Sequence, residues 1–134
     1  MKRRRAREYA LQLLYEHEFA DSEPDISGFF ADKKETKEVV DFTSRMVRGT
    51  LRHINEVDAA IKDAAEHWVL ERMAAVDRNI LRFATFELLY SPDVPPAVVI
   101  DEALEIAKRF SSTESAAFIN GILDRIAKTK RKQA

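Results

Sequence analysis

Residues 72–89 read RMAAVDRNILRFATFELL, and this stretch decides the fold. Read at helical spacing, Val76, Ile80, Leu81, Phe83, Ala84, Phe86, Leu88 and Leu89 leave almost no wholly polar side. A helix apolar around most of its circumference is packed by neighbours on several sides, so this one is expected at the centre. Ser91-Pro92-Asp93-Val94-Pro95-Pro96 stops it firmly, and Pro96 suits the first turn of the next helix, where its missing N–H is not needed.

Working outward, Val99, Ala103, Ile106, Ala107 and Phe110 recur at helical spacing after Pro96. Ser111-Ser112-Thr113-Glu114 then has the form of a capping box and restarts the chain into a last helix, with Ser115, Ile119, Ile122, Leu123 and Ile126 inward. Upstream, Ile54, Val57, Ile61, Ala64, Ala65 and Trp68 form one stripe. Thr36 to Arg52 forms another helix, facing inward through Val39, Val40, Thr43, Met46, Val47, Thr50 and Leu51. Residues 26–33, with Ile26, Phe29 and Phe30 beside Gly28, read as an irregular connection, and Asp21-Ser22-Glu23-Pro24-Asp25 as a loop. The first helix runs from Arg4 to Phe19, with Ala6, Ala10, Leu13, Leu14 and His17 on one face. The expectation is an all-α domain of six to seven helices.

Composition agrees. The 134 residues fit one domain, 1–134, large enough to bury a core, and 46% are hydrophobic against 34% charged. Three glycines and four prolines are too few for a turn-rich β architecture. There is no cysteine, which removes disulfide and thiolate chemistry. The basic start meets Glu8 and Tyr9 without an apolar stretch, so it does not read as a signal peptide, and no apolar run reaches the ~20 residues of a membrane span. A cytoplasmic protein is expected.

Charge is segregated. Lys2, Arg3, Arg4, Arg5 and Arg7 open the chain, and Arg125, Lys128, Lys130, Arg131 and Lys132 close it. Residues 8–124 hold the remaining twelve basic residues against twenty-three acidic ones, a net −11 within a chain of net −1. Cations at a helix N-terminus oppose the dipole by about 0.3–1 kcal/mol each, so stability alone does not choose the opening tract; a polyanion would. Arginine's planar fork suits phosphate oxygens. The closing cluster sits where a helix C-terminus favours cations, and needs no ligand to explain it.

Nothing points to catalysis. His17, His53 and His67 lie 36 and 14 residues apart, in no metal-ligand pattern, and there is neither a glycine-rich phosphate loop nor a G-x-S-x-G elbow. The chain reads as a binding protein rather than an enzyme, with no cofactor and no metal.

Four stretches together resemble the NusB family of bacterial transcription antitermination factors. They are Arg4-Arg5-Ala6-Arg7-Glu8 with Ala10-Leu11-Gln12-Leu13-Leu14-Tyr15; Val76-Asp77-Arg78-Asn79-Ile80-Leu81-Arg82 with Glu87-Leu88; Val99 through Phe110; and Phe118-Ile119-Asn120-Gly121-Ile122-Leu123-Asp124. The resemblance implies two packed helical subdomains. It also implies binding of the single-stranded boxA element of ribosomal RNA leaders together with NusE, a small-subunit ribosomal protein, and entry into the RNA polymerase antitermination complex with other Nus factors. The fold also heads certain ribosomal RNA methyltransferases; with no such domain before Ala134, the free-standing factor is the better match. A protein–protein adaptor, and the RNA-recognition part of a split methyltransferase, remain the alternatives. A homodimer of the free protein stays open.

The resemblance implies RNA contacts at Phe110, Glu114 and Phe118, and the opening tract supplies Arg3, Arg4, Arg5 and Arg7. Base stacking on an aromatic ring, worth ~1–3 kcal/mol, suits unpaired RNA. Glu114 stands where some members carry a shorter acid, and a capping role alone also accounts for it. Tyr15 is a further candidate. Asp77 reads equally as an acid favoured by the helix dipole or as a contact for RNA or the partner. Glu87, inside an apolar helix, is expected in an internal hydrogen bond, while Arg78 and Arg82 are expected to pair with it or with other acids.

Overall fold

The computed structural model describes residues 2–20 and 22–131; Asp21 of the predicted loop and Lys132 of the closing basic cluster lie outside them. Its helices are α1 (Lys2–Glu18), α2 (Ile26–Phe30), α3 (Lys37–Arg52), α4 (Ile54–Ala64), α5 (Ala75–Tyr90), α6 (Pro96–Phe110) and α7 (Thr113–Thr129). A single 3-10 turn, Leu70–Arg72, precedes α5. No strand occurs among the described residues.

α5 is the hub, packing against α1, α3, α4, α6 and α7. Its Ile80, Leu81, Phe83, Ala84, Phe86 and Leu88 are all buried, as its apolar circumference predicts. α1 lies against α3 in one subdomain, α6 against α7 in the other, and α5 joins the two. Gly49 permits the α3–α5 approach, because a Cβ there would fall inside the Phe86 ring. The Thr43 hydroxyl donates to Val39 O within α3 at 2.8 Å and also reaches Ala6 O of α1 at 3.3 Å.

Four expectations are corrected. Residues 26–30 are helical, because the Asp25 side chain accepts from Gly28 N–H and caps the turn. Tyr9, Phe29 and Phe30 then meet edge to face at centroid distances of 5.0–5.6 Å, docking α2 on α1. α4 stops at Ala64, where the Arg125 guanidinium reaches the Ala64 carbonyl at 3.5 Å and Glu66 at 2.8 Å. Ala65 remains buried, but Trp68 turns outward and is 60% exposed. α5 begins at Ala75 rather than Arg72, because the chain first makes the 3-10 turn that Arg78 holds through Leu70 O and Met73 O at 3.2 and 2.7 Å. The capping pattern is shifted by one residue. Ser111 N–H still bonds Ala107 O in α6, so Ser112 is the cap and accepts from Ser115 N–H at 3.0 Å. Glu114 therefore sits one position too early to close a box, and Ser115 is half-buried while Ala116 takes the core position.

Candidate nucleic-acid interface

The opening tract folds as the first turns of α1, and its charges meet acids from other elements. Arg4 donates to Glu102 of α6 at 3.1 Å, and this bond raises the Arg4 pKa further. Arg5 lies 2.9 Å from Glu35, which also accepts from Tyr9 at 2.6 Å. Arg3 lies over the Phe42 ring at 5.2 Å, exposed to solvent. The Arg4 and Arg5 side chains are 40% and 51% exposed, while the acids they meet, Glu102 and Glu35, are mostly buried.

Arg7 is different. It is buried, donates to Glu87 at 2.8 and 2.6 Å, and lies over Phe42 at 5.2 Å. Its guanidinium is sealed inside the α1–α5 contact and is not displayed to a ligand, which corrects its placement among the phosphate-binding arginines. Glu87 has the internal bond expected of it. Arg78 and Arg82 instead converge on Glu18, at 2.7 and 2.9 Å, and Arg82 also grips Asp58 at 2.9 Å. Burial pushes the Glu18 carboxyl up, but donors from Arg78 and Asn79 and the nearby guanidinium charges outweigh it and hold its pKa below the ordinary value.

Long side chains of α1 and α6 meet at the surface. From Arg4–Glu102 the strip continues through Glu8–Arg109, 2.9 Å apart, to Phe110 and Tyr15. Phe110 is 46% exposed, with the Arg109 guanidinium 5.0 Å from its centroid. Tyr15, also exposed, joins Phe110, Tyr9, Leu11 and Val76 around an open concavity of about 360 Å³. On the other side of the first turn of α5 lies a second concavity of about 390 Å³, bearing Asp77, Glu114 and Phe118. Phe118 is half-buried, clear of the face formed by Ile119, Ile122 and Ile126. Asp77 accepts from the Ser115 hydroxyl at 2.9 Å through one oxygen, while its other oxygen has no partner.

The fold thus gathers Tyr15, Asp77, Phe110, Glu114 and Phe118 around one turn of α5, with Arg3, Arg4 and Arg5 at the far end of the strip. Trp68 and Arg109 belong to the same surface and were not singled out from sequence. Trp68 was hidden because its spacing matches the α4 stripe; Arg109 reads as an ordinary helix-terminal cation. Among the described residues no three His, Cys, Asp or Glu side chains come together to hold a metal ion.

A family model described as the NusB family matches residues 4–128. The chain belongs to the NusB family. A transcription antitermination protein NusB of Thermodesulfovibrio yellowstonii is 44% identical, the alignment covering 96% of this chain and 93% of the relative. The fold is similar to that of a NusB of T. maritima, with a TM-score of 0.88, 41% identity, and coverage of 97% and 93%. A crystal structure of the antitermination factors NusB and NusE in complex with dsRNA contains a chain similar at TM-score 0.84 and 26% identity, covering 95% of this chain and 96% of that one. The NusB relatives are named as transcription antitermination proteins, not as enzymes.

Proposed function

We propose that this chain is an RNA-binding transcription antitermination factor, working in the cytoplasm, that takes the single-stranded boxA element of ribosomal RNA leaders together with NusE and carries it into the RNA polymerase antitermination complex. The observation that carries this reading is the α1–α6 strip. Three arginines that reach solvent lie at one end, and exposed aromatics gather at the other. Phosphates and unpaired bases need those two kinds of group. The mechanism is assembly without chemistry: Arg3, Arg4 and Arg5 gather phosphates, while Tyr15, Phe110 and Phe118 stack bases. Asp77 and Glu114 accept from base edges. Phe19, 71% exposed and 5.2 Å from Tyr15, supplies an apolar spot beside the strip for the ribosomal protein. A docked partner that also touches RNA makes the contact bivalent and raises affinity through effective concentration. A complex of a similar NusB with NusE and dsRNA supports NusE and RNA as the classes of partner.

The test is a titration of boxA RNA, as single strand and as duplex, with and without NusE. Single-strand binding strengthened by NusE is the expected result. NusE capture with no RNA binding by either protein combination favours the adaptor reading, and equal binding of duplex overturns the preference for single strands.

A further inference from the structure

We propose that Trp68 and Phe118 form a corner that receives one unpaired base, guanine above all, making Trp68 a specificity-determining residue. This rests on the RNA-binding reading given above. Trp68 leaves α4 in a turn closed by its own N–H to Ala65 O at 3.0 Å, which throws the indole outward. It is 60% exposed, yet it meets Phe118 of α7 with centroids 4.9 Å apart and planes at 72°. A large aromatic surface left in water beside a second ring marks a site more often than a packing accident. The angle makes a corner, so that a flat group stacked on one ring presents its edge to the other.

The rest of the lining identifies the occupant. Arg72, Asp77, Ser112 and Glu114 complete a concavity of about 390 Å³. Two carboxylates repel a phosphate. They also suffer if an apolar side chain displaces their water. One Asp77 oxygen is already buried without a donor, and buried acceptors are normally paired. A neutral planar group bearing N–H donors satisfies both the rings and the acids. Among bases, guanine offers a ring N–H and an amino group side by side, which a carboxylate accepts together. The corner adjoins the Phe110 concavity across Val76 and Asp77, so a strand running along α1 and α6 reaches it without a break.

The chain has a single tryptophan, so its intrinsic fluorescence reports Trp68 alone. The full-length protein is titrated with end-labelled single strands of uridines, with and without one central guanosine. Anisotropy reads binding, and indole fluorescence reads the corner. Both strands should bind. The guanosine strand should bind roughly tenfold tighter and quench Trp68 by about half. Trp68→Ala should bind both strands alike, at the affinity of the uridine strand, while Trp68→Phe keeps most of the preference. Guanosine binding without quenching, or an undiminished preference in Trp68→Ala, overturns the proposal. So does quenching by the ribosomal protein alone where RNA gives none, which makes the corner a protein site. If anisotropy moves with neither strand, the RNA reading itself fails and this one falls with it.

Discussion

Arg7 and Glu87, eighty positions apart, meet in a two-pronged ion pair of 2.8 and 2.6 Å that is 2% and 1% exposed. The pair fastens α1 to the central helix. It also divides the opening basic tract into one residue sealed in the fold and others whose side chains reach solvent.

Arg7→Ala should destabilise the protein by about 3–5 kcal/mol, because it leaves the Glu87 carboxylate buried without its partner. Replacing both, Arg7→Met with Glu87→Leu, should recover much of that loss. Denaturant unfolding of the wild type and the two variants is the measurement. A loss below about 1 kcal/mol in Arg7→Ala would mean the pair is open to water and behaves as a surface bridge.

The triple variant Arg3, Arg4 and Arg5→Ala should keep its helical circular dichroism, since the three arginine side chains are themselves exposed or half-exposed. Its RNA affinity should collapse. Three neutralised phosphates predict that log K of the wild type falls with log salt at a slope of about −2, from ~−0.7 per single-strand phosphate. A salt-independent affinity would remove the arginines from the mechanism.

Phe118→Ala should weaken RNA binding by about 1–3 kcal/mol. Its thermal melt should move less than that of a core deletion, which loses about 3–5 kcal/mol, because the ring is only half-buried. Phe118→Tyr should retain most affinity. A large stability loss with unchanged RNA affinity would assign the ring to the core.

Acid sensitivity should run through Glu18. Its folded-state pKa is depressed, so its contribution is full above the ordinary carboxyl value of 4.5 and is lost as pH falls through the lower folded value. Glu18→Gln should therefore be less stable than wild type at neutral pH, with the gap closing below that window. Urea midpoints measured across the acid range test this. A gap that stays constant with pH would show that the Glu18 carboxylate is not the linked group.

Much of the fold and part of the site were legible in the residues. The internal bond of Glu87 could be named from its type and place, whereas Phe110 and Phe118 entered through the family resemblance and the opening tract through its charge, and their contact with RNA is a proposal. What differed came from residues whose local pattern fits two outcomes. Trp68 continues the stripe of Ile54, Val57 and Ile61, but α4 ends before reaching it, where Arg125 contacts Ala64 and Glu66 and the Trp68 N–H turns back to Ala65 O. Ser111 and Ser112 both make good caps, and the choice falls to Ser112 because Ser111 N–H is still engaged by α6.

The sequence by itself determined the all-helical class, the central place of the helix expected over 72–89 and the stop at Pro92 to Pro96. Those follow from periodicity and proline sterics, which act within a few turns of chain. Tertiary structure alone decided which arginine is sealed, which acid each cation meets and which rings share a corner. With twenty-two basic and twenty-three acidic residues, a chain read in one dimension permits too many pairings to choose among. Only the packing of α1, α5 and α6 brings Arg7 to Glu87 and Arg4 to Glu102, and it strips water from the first pair while leaving the second near the surface.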